Sequence, residues 1–275
     1  MTSMLQGIAR VASAALGRES LLIRKLRPAY ESALNRLSGG RGIEWEINGA
    51  LYRIDPHFRH QMGHNYEPAV ASFLQTGVRP GHLCFDVGAN VGVYALQLAR
   101  WSTPSGRVVA FEPNPAAAAV LRRHLTMNGL LARVTVAPLA VGDRDGEATL
   151  YAVGADGMSR LGEPNEQLAG RTTPATVRTI RLDEFCRQSG LIPNWLLIDI
   201  EGFEFAALRG ASDLIKGRRG KLGIVVEMHP SVWRTPGTSR AEAEALLREL
   251  GLQAMPLTGQ ADALGEHGVV HLAFK

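Results

Sequence analysis

The chain has 275 residues, of which 45% are hydrophobic and 20% charged. This composition is typical of a folded globular protein and allows one large domain with an extension. The net charge of +4 resides in residues 1–40, which hold six basic and two acidic residues. The rest of the chain has equal numbers of basic and acidic residues and shows no basic stripe. Nucleic acid is therefore not expected as a partner.

Residues 1–40 form a predicted basic helical extension. Apolar residues recur near a period of 3.6 between positions 3 and 37, and Pro28 predicts a break in the helix. We favour packing of this helix on the body or on a second copy of the chain in a homo-oligomer. Contact with an anionic membrane surface is the weaker alternative, because aromatic residues are few.

The location of the protein is predicted to be cytoplasmic. An arginine inside the first apolar stretch makes a poor signal peptide, and no apolar run approaches the roughly 20 residues that span a bilayer. Cys84 and Cys186 show no partner spacing, which indicates a reducing compartment without disulfides or structural zinc.

Residues 41–62 are predicted to be a hairpin followed by a lid segment. The alternating stretches IEWEI and ALYRI flank Asn48-Gly49, the residue pair of a tight turn. The segment DPHFRHQMGH then brings three histidines, and its glycine favours a loop over a helical metal pair. We favour separate, exposed histidines over a lid in which Tyr66 and Glu67 touch a cofactor.

Residues 63–275 are predicted to be one α/β domain. Apolar runs alternate with helical patterns, which predicts a doubly wound, mostly parallel sheet closed by an antiparallel pair at the C-terminal end. The predicted strands are 82–87, 107–112, 133–141, 195–200 and 222–229.

An additional strand pair and a long polar loop follow the third strand. The loop spans residues 154–175, and loops of that length are often active-site lids. A disordered insertion is an equal alternative. If the loop is a lid, four of its side chains are candidates to meet a polar substrate: Met158, Ser159, Arg160 and Arg171.

The first two strands end in a glycine turn and a carboxylate. The stretch DVGANVG places Asp86 before Gly88, Asn90 and Gly92, and VVAFEPN ends the next strand at Glu112. Ligands of such sheets lie at the carboxyl ends of the strands. The sequence therefore predicts a nucleotide-like ligand at this edge.

The charge of these residues favours S-adenosylmethionine. Asn90 replaces the middle glycine of a dinucleotide turn, and a carboxylate at Asp86 would repel a pyrophosphate. An adenosyl cation without phosphate fits Asp86, and Glu112 can accept both hydroxyls of its ribose. A nicotinamide cofactor is the alternative, and a sheet without a nucleotide, with glycines serving only packing, is the third.

Two further strand ends carry ionisable pairs. Asp199 and Glu201 stand two residues apart in IDIEG, as do Glu227 and His229 in VVEMH, a spacing that places each pair on one face of a strand. Methyl transfer to an alcohol requires removal of its proton, so we expect Asp199, Glu201 or His229 to act as the general base.

A divalent cation is an alternative use of these acids. Asp199, Glu201 and Glu227 would supply the oxygen ligands that Mg²⁺ prefers, and the ion would polarise the hydroxyl. A purely structural interpretation is also open, in which Glu201 or Glu204 caps the following helix.

Several stretches in this order resemble the FkbM family of S-adenosylmethionine-dependent methyltransferases. They are FDVGANVGVYAL, VVAFEPNPAAAAVLRRHLTMNGL, LAVGDRDGEATLY, TIRLDEF, LLIDIEGFEFAALRGA and IVVEMHP, within about residues 64–230. The resemblance implies a class I methyltransferase fold with an antiparallel strand. It implies cofactor contacts for the glycine-turn residues and Glu112, and places Asn114 and the backbone near Ala140 beside the adenine. The family often has lysine where this chain has Leu197.

These observations together predict an O-methyltransferase that uses S-adenosylmethionine. The resemblance implies a hydroxylated small molecule, of a sugar or natural-product type, as the acceptor. The alternatives are an NAD-dependent oxidoreductase on a Rossmann-like fold and a membrane-surface module that acts through its basic helix.

Overall fold

The computed structural model describes residues 21–155, 159–162, 170 and 172–275, which form two compact units. Residues 1–20 of the predicted extension, and Met158 and Arg171 of the predicted lid, lie outside the described residues. The first unit runs to Tyr66 and includes Arg123–Gly129, and the second comprises the remainder. The boundary predicted after residue 62 therefore falls inside the first unit. No helix among the described residues is long and apolar enough to cross a membrane.

The first unit contains helix α1 (Leu21–Leu37) and the hairpin strands β1 (Ile43–Ile47) and β2 (Ala50–Ile54). The hairpin prediction is confirmed, with φ angles of 47° at Asn48 and 77° at Gly49. The predicted break at Pro28 is wrong, because the helix continues through it. Proline removes one backbone hydrogen bond, but Leu34 on the same helix is fully buried, so packing maintains the helix.

The histidines of the first unit have separate partners. Nδ1 of His57 lies 2.7 Å from a carboxylate oxygen of Asp55. His64 stacks on Trp45 with ring centroids 4.2 Å apart, and its Nδ1 lies 2.9 Å from a backbone carbonyl. None of them belongs to a candidate metal group within the part of the chain that the structure describes.

The second unit alternates strands and helices, as predicted. Its first half contains α2 (Pro68–Gly77), β3 (Leu83–Val87), α3 (Val93–Trp101), β4 (Arg107–Phe111), α4 (Pro115–Met127, whose residues from Arg123 onward belong to the first unit), β5 (Val134–Ala137), β6 (Ala140–Val141), β7 (Gly146–Ala152), β8 (Arg160–Leu161) and β9 (Thr173–Ile180). Its second half contains α5 (Leu182–Ser189), β10 (Trp195–Ile198), α6 (Glu204–Arg209), α7 (Ser212–Gly217), β11 (Gly223–Met228), α8 (Arg240–Glu249), β12 (Leu252–Pro256) and β13 (Gly268–Phe274).

Seven strands form the main sheet, in the order β12-β13-β11-β10-β3-β4-β5. The strands β11, β10, β3, β4 and β5 are parallel, whereas β13 runs antiparallel to both of its neighbours. The interior strands are apolar on both faces, and Phe85, Phe111, Ile198 and Val226 are fully buried. The predicted doubly wound α/β sheet with an antiparallel C-terminal strand is confirmed.

Two predicted elements are each divided in the structure. The strand predicted over 133–141 stops at Ala137, because Pro138 cannot donate a ladder hydrogen bond, and resumes as β6 in another sheet. The helix predicted after IDIEG becomes α6 and α7. The carboxylate of Asp183 accepts the backbone N–H groups of Asp213 and Leu214, at 3.0 and 2.8 Å, and so starts the second helix separately.

A second sheet of four strands, in the order β6-β9-β7-β8, was not predicted as such. The expected strand pair is present as β7 and β9, which are antiparallel, and β8 occupies part of the expected polar loop. Ala140, Leu150 and Val177 form the small core of this sheet.

Candidate active site

The glycine turn joins β3 to α3 and lies against β10. The φ angles are 87° at Gly88, 46° at Asn90 and 98° at Gly92, a region that favours glycine. A Cβ on Gly88 would lie 1.7 Å from the backbone oxygen of Asp199, and one on Gly92 would lie 2.4 Å from Leu121 Cδ1. Gly88 is therefore required by packing, and Gly92 is favoured by its left-handed φ, whatever ligand the turn holds.

Glu112 lies just beyond the carboxyl end of β4 and is nearly buried. Its Oε2 accepts the backbone N–H of Asn90 at 2.7 Å, and its Oε1 accepts that of Asn114 at 2.8 Å. Burial raises the pKa of this carboxyl to about 7, against the lowering effect of the two hydrogen bonds. The side chain is fixed in place, and each oxygen keeps a lone pair for a further donor.

Asp86 is the second buried carboxyl at this edge. Burial and then the nearby Glu112 raise its pKa to about 7, although the backbone N–H of Ala95 opposes the rise. Its Oδ2 is buried and has no hydrogen-bond partner among the described residues. Leu197, the neighbour of Asp86 across β3 and β10, supplies no cation. Two buried acids without a described counter-ion suit a ligand that carries positive charge.

Asn114 and Ala140 are engaged within the protein. The side-chain amide of Asn114 donates to the Gly154 carbonyl at 2.7 Å and to Ser159 Oγ at 3.0 Å. Its oxygen accepts the N–H of Ala116. Ala140 is buried in the second sheet. Their place beside an adenine stays a prediction.

Asp199 and Glu201 both lie beyond the end of β10, one and three residues after its last residue. The strand ends at Ile198, and Glu201 has a left-handed φ of 46°, so their closeness results from a turn and not from a shared strand face. Burial raises the pKa of Asp199 well above its ordinary value, and the charge of Glu227 adds to this while His229 opposes it. Burial also raises the pKa of Glu201, against the effects of His229 and Arg160.

His229 follows β11 and is oriented by Glu204, a residue that the sequence indicated only as a helix cap. Its Nδ1 lies 2.7 Å from Oε1 of the fully buried Glu204. The other oxygen of Glu204 accepts the indole N–H of Trp233 at 2.9 Å. Burial lowers the pKa of His229, but the hydrogen bond and charge of Glu204 outweigh burial and bring it to about 9.

Glu227 and His267 complete this group. Oε1 of Glu227 lies 3.8 Å from Nε2 of His229 and 2.9 Å from Nε2 of His267. Nε2 of His229 lies 3.9 Å from Glu201. Asp199, Glu201 and Glu227, the alternative metal set suggested by the sequence, lie near one another, but the described donor atoms that lie within 4.8 Å of one another are those of Glu227, His229 and His267. His267 was missed, since it lies far from His229 in the chain, just before β13.

The chain matches a known protein family and is similar to several methyltransferases. Residues 86–253 match the family described as the Methyltransferase FkbM domain. The 2-O-methyltransferase NoeI of Sinorhizobium fredii is 27% identical over 154 residues, which cover 51% of this chain and 62% of the relative. The 31-O-demethyl-FK506 methyltransferase FkbM of Streptomyces tacrolimicus is 42% identical over 64 residues, 22% of this chain and 24% of the relative.

A crystal structure of methyltransferase FkbM from Methylobacillus flagellatus is also similar. It shares 16% identity at a TM-score of 0.47, over 70% of this chain and 44% of that chain. The chain thus spans less than two thirds of the length of NoeI and of each of the other two proteins.

Proposed function

Since this chain belongs to the Methyltransferase FkbM domain family, we propose that it transfers a methyl group from S-adenosylmethionine to a hydroxyl of a small molecule. The observation that carries this proposal is the buried pair Asp86 and Glu112 at the ends of two adjacent parallel strands. The sheet order, with one antiparallel strand inserted beside β11, supports a class I methyltransferase fold.

The residues of this edge fit the cofactor in charge and in hydrogen bonding. The unpartnered Oδ2 of Asp86 can accept an ammonium group, and the fixed carboxylate of Glu112 can accept two vicinal hydroxyls. A pyrophosphate would meet the same two acids at close range, which is unfavourable. These two carboxylates therefore favour an adenosyl cation over a nicotinamide dinucleotide.

When bound, the cofactor supplies an activated methyl group on its sulfonium. The protein must then orient the acceptor oxygen in line with that methyl and remove its proton. We assign the proton to a carboxylate oxygen of Asp199. Its backbone touches the glycine turn at Gly88, so this acid stands beside the cofactor edge. Glu201, two residues further along the chain, lies close enough to Asp199 for its charge to raise the pKa of that acid, and it can hydrogen-bond the acceptor.

The acceptor is proposed to be a polyhydroxylated small molecule, such as a sugar or a natural product. Carboxylates are acceptors for neighbouring hydroxyls, and Asp199, Glu201 and Glu227 offer several such groups near one another. The printed names of NoeI and of the Streptomyces relative refer to O-methylation of those proteins' own substrates, which is consistent with a hydroxyl acceptor here.

Titration calorimetry with S-adenosylmethionine, S-adenosylhomocysteine and NAD tests the proposal. We expect the first two compounds to bind at one site per chain. NAD should bind at least about tenfold more weakly, because its pyrophosphate would be repelled by Asp86 and Glu112, and a tenfold loss of affinity corresponds to about 1.4 kcal/mol of binding free energy. Tighter binding of NAD than of either adenosyl compound would contradict the proposal and indicate an NAD-dependent oxidoreductase instead.

A further inference from the structure

We propose that Glu227, His229 and His267 bind one divalent transition-metal cation of the zinc, cobalt or manganese type. The donor atoms are one carboxylate oxygen and two imidazole nitrogens, all within 4.8 Å of one another. This ligand set differs from the all-carboxylate magnesium site that the sequence suggested, because imidazole nitrogen suits transition metals rather than magnesium.

Strand pairing accounts for the convergence of these side chains. β11 and β13 are antiparallel neighbours whose ladder ends with Met228 opposite Gly268. One step further along the same register places His229 opposite His267, and their ring centroids are 4.9 Å apart. Glu227 stands two residues before His229 and reaches the same place, with Oε1 2.9 Å from Nε2 of His267.

A buried carboxylate provides a second, independent indication. Nδ1 of His229 is held at 2.7 Å by Glu204, which leaves Nε2 directed toward Glu227. Histidines that bind metals usually donate the other ring nitrogen to a carboxylate or carbonyl in this way. The Nε2 atom has carboxylate oxygens at 3.8 and 3.9 Å and no shorter hydrogen bond among the described residues.

The three donor atoms lie within 4.8 Å of one another, so they must approach by about 1 Å in most of the pairs to hold an ion. Ligand atoms at about 2.0–2.2 Å from a metal lie roughly 3–3.5 Å from one another. The pair Glu227–His267 is already at 2.9 Å and the pair Glu227–His229 at 3.8 Å. His267 is 64% exposed, so its side chain can move by the required amount without disturbing the core.

Three protein ligands leave coordination positions open on the ion. On the basis of the proposed function, an acceptor hydroxyl would occupy one of them and become more acidic, while Asp199 receives its proton. Glu201, whose Oε2 lies 3.9 Å from Nε2 of His229, would contact a metal-bound hydroxyl.

Equilibrium dialysis of the chelator-stripped full chain against Co²⁺ tests this inference, with bound metal measured by elemental analysis and by visible absorption. We expect one Co²⁺ per chain, displaced by Zn²⁺ but not by equimolar Mg²⁺. The substitution His267→Ala is expected to weaken Co²⁺ binding at least tenfold, and Glu204→Gln about ten- to a hundredfold, as for residues that orient metal ligands.

His60→Ala is the matched control, because His60 is an exposed histidine outside this group, and it should leave Co²⁺ binding unchanged. Loss of the bound ion in His60→Ala but not in His267→Ala would overturn the inference, as would no bound ion in the unmodified chain. Parallel calorimetry with S-adenosylhomocysteine separates the two proposals: intact binding without a bound ion rejects the metal site alone, and a bound ion without cofactor binding rejects the proposed function alone.

Discussion

Asp199 is the residue whose replacement separates chemistry from binding. An asparagine at this position keeps the shape of the side chain but cannot accept a proton. We expect Asp199→Asn to lower kcat by about a hundredfold or more, the usual contribution of a positioned general base. The variant's dissociation constant for S-adenosylhomocysteine should stay within about threefold of the unmodified value. Such a change corresponds to about 0.6 kcal/mol of binding free energy.

Methyl transfer to a hydroxylated acceptor, measured as homocysteine release, provides the readout. Asp213→Asn is the matched control, because Asp213 is an exposed aspartate on α7 and its replacement should change neither quantity. Full turnover in Asp199→Asn would remove this residue from the proposed role.

Individual residues differ in how far the sequence predicted them. Asp86 and Glu112 are identifiable from the sequence because each follows an apolar run typical of a buried strand. Glu204 was interpreted as a helix cap, and its carboxylate does accept the N–H of Gly202 at 2.7 Å. Its partner His229 lies 25 positions away, and local sequence carries no information on such a contact.

Substitution of Gly88 tests whether the glycine turn must pack closely against the chain that follows β10. A side chain there meets the Asp199 carbonyl at 1.7 Å in a left-handed backbone conformation. We expect Gly88→Ala to lower the free energy of unfolding by at least about 3 kcal/mol, or to prevent folding, because strain of this kind adds to the cost of a positive φ.

Gly190→Ala is the matched control. Gly190 ends α5 with a φ of 71°, and a Cβ added there would meet no atom within 4 Å among the described residues. Its substitution should therefore cost only about 1–2 kcal/mol. Urea unfolding measures both variants. Equal costs would show that the contact with Asp199 does not constrain the turn.

Elements were predictable where burial dictates their pattern. The five parallel strands appear in the sequence as continuous apolar runs, because both of their faces are covered. The two-residue strands β6 and β8 are too short to show any period, so the second sheet could not be recognised. β10 ends at Ile198 and a left-handed turn follows at Glu201 and Gly202, which spacing alone does not indicate.

The pair Asp86 and Glu112 makes the free energy of unfolding of the whole molecule depend on pH. Both pKa values are raised to about 7, so the folded protein without ligand binds protons that the unfolded chain releases near pH 4. The stability from this pair is present below about pH 4 and is lost as the pH rises toward about 7. We expect the free energy of unfolding, measured without cofactor, to show this decline.

Binding of a cation has the opposite dependence, because it requires the pair to be ionised. The association constant for S-adenosylmethionine should rise several-fold between about pH 6 and about pH 7.5. Calorimetry across this range measures it, and Glu112→Gln should flatten the profile. A constant that falls over the same range would contradict the electrostatic basis of the pocket.

A crystal structure of the complex with S-adenosylhomocysteine would show whether Asp86 and Glu112 bind the adenosyl cofactor. We predict that the ribose hydroxyls lie within about 3 Å of the Glu112 carboxylate oxygens, the length of a charge-assisted hydrogen bond, and that the ammonium group lies near Asp86. An adenosyl group bound away from both carboxylates would contradict it.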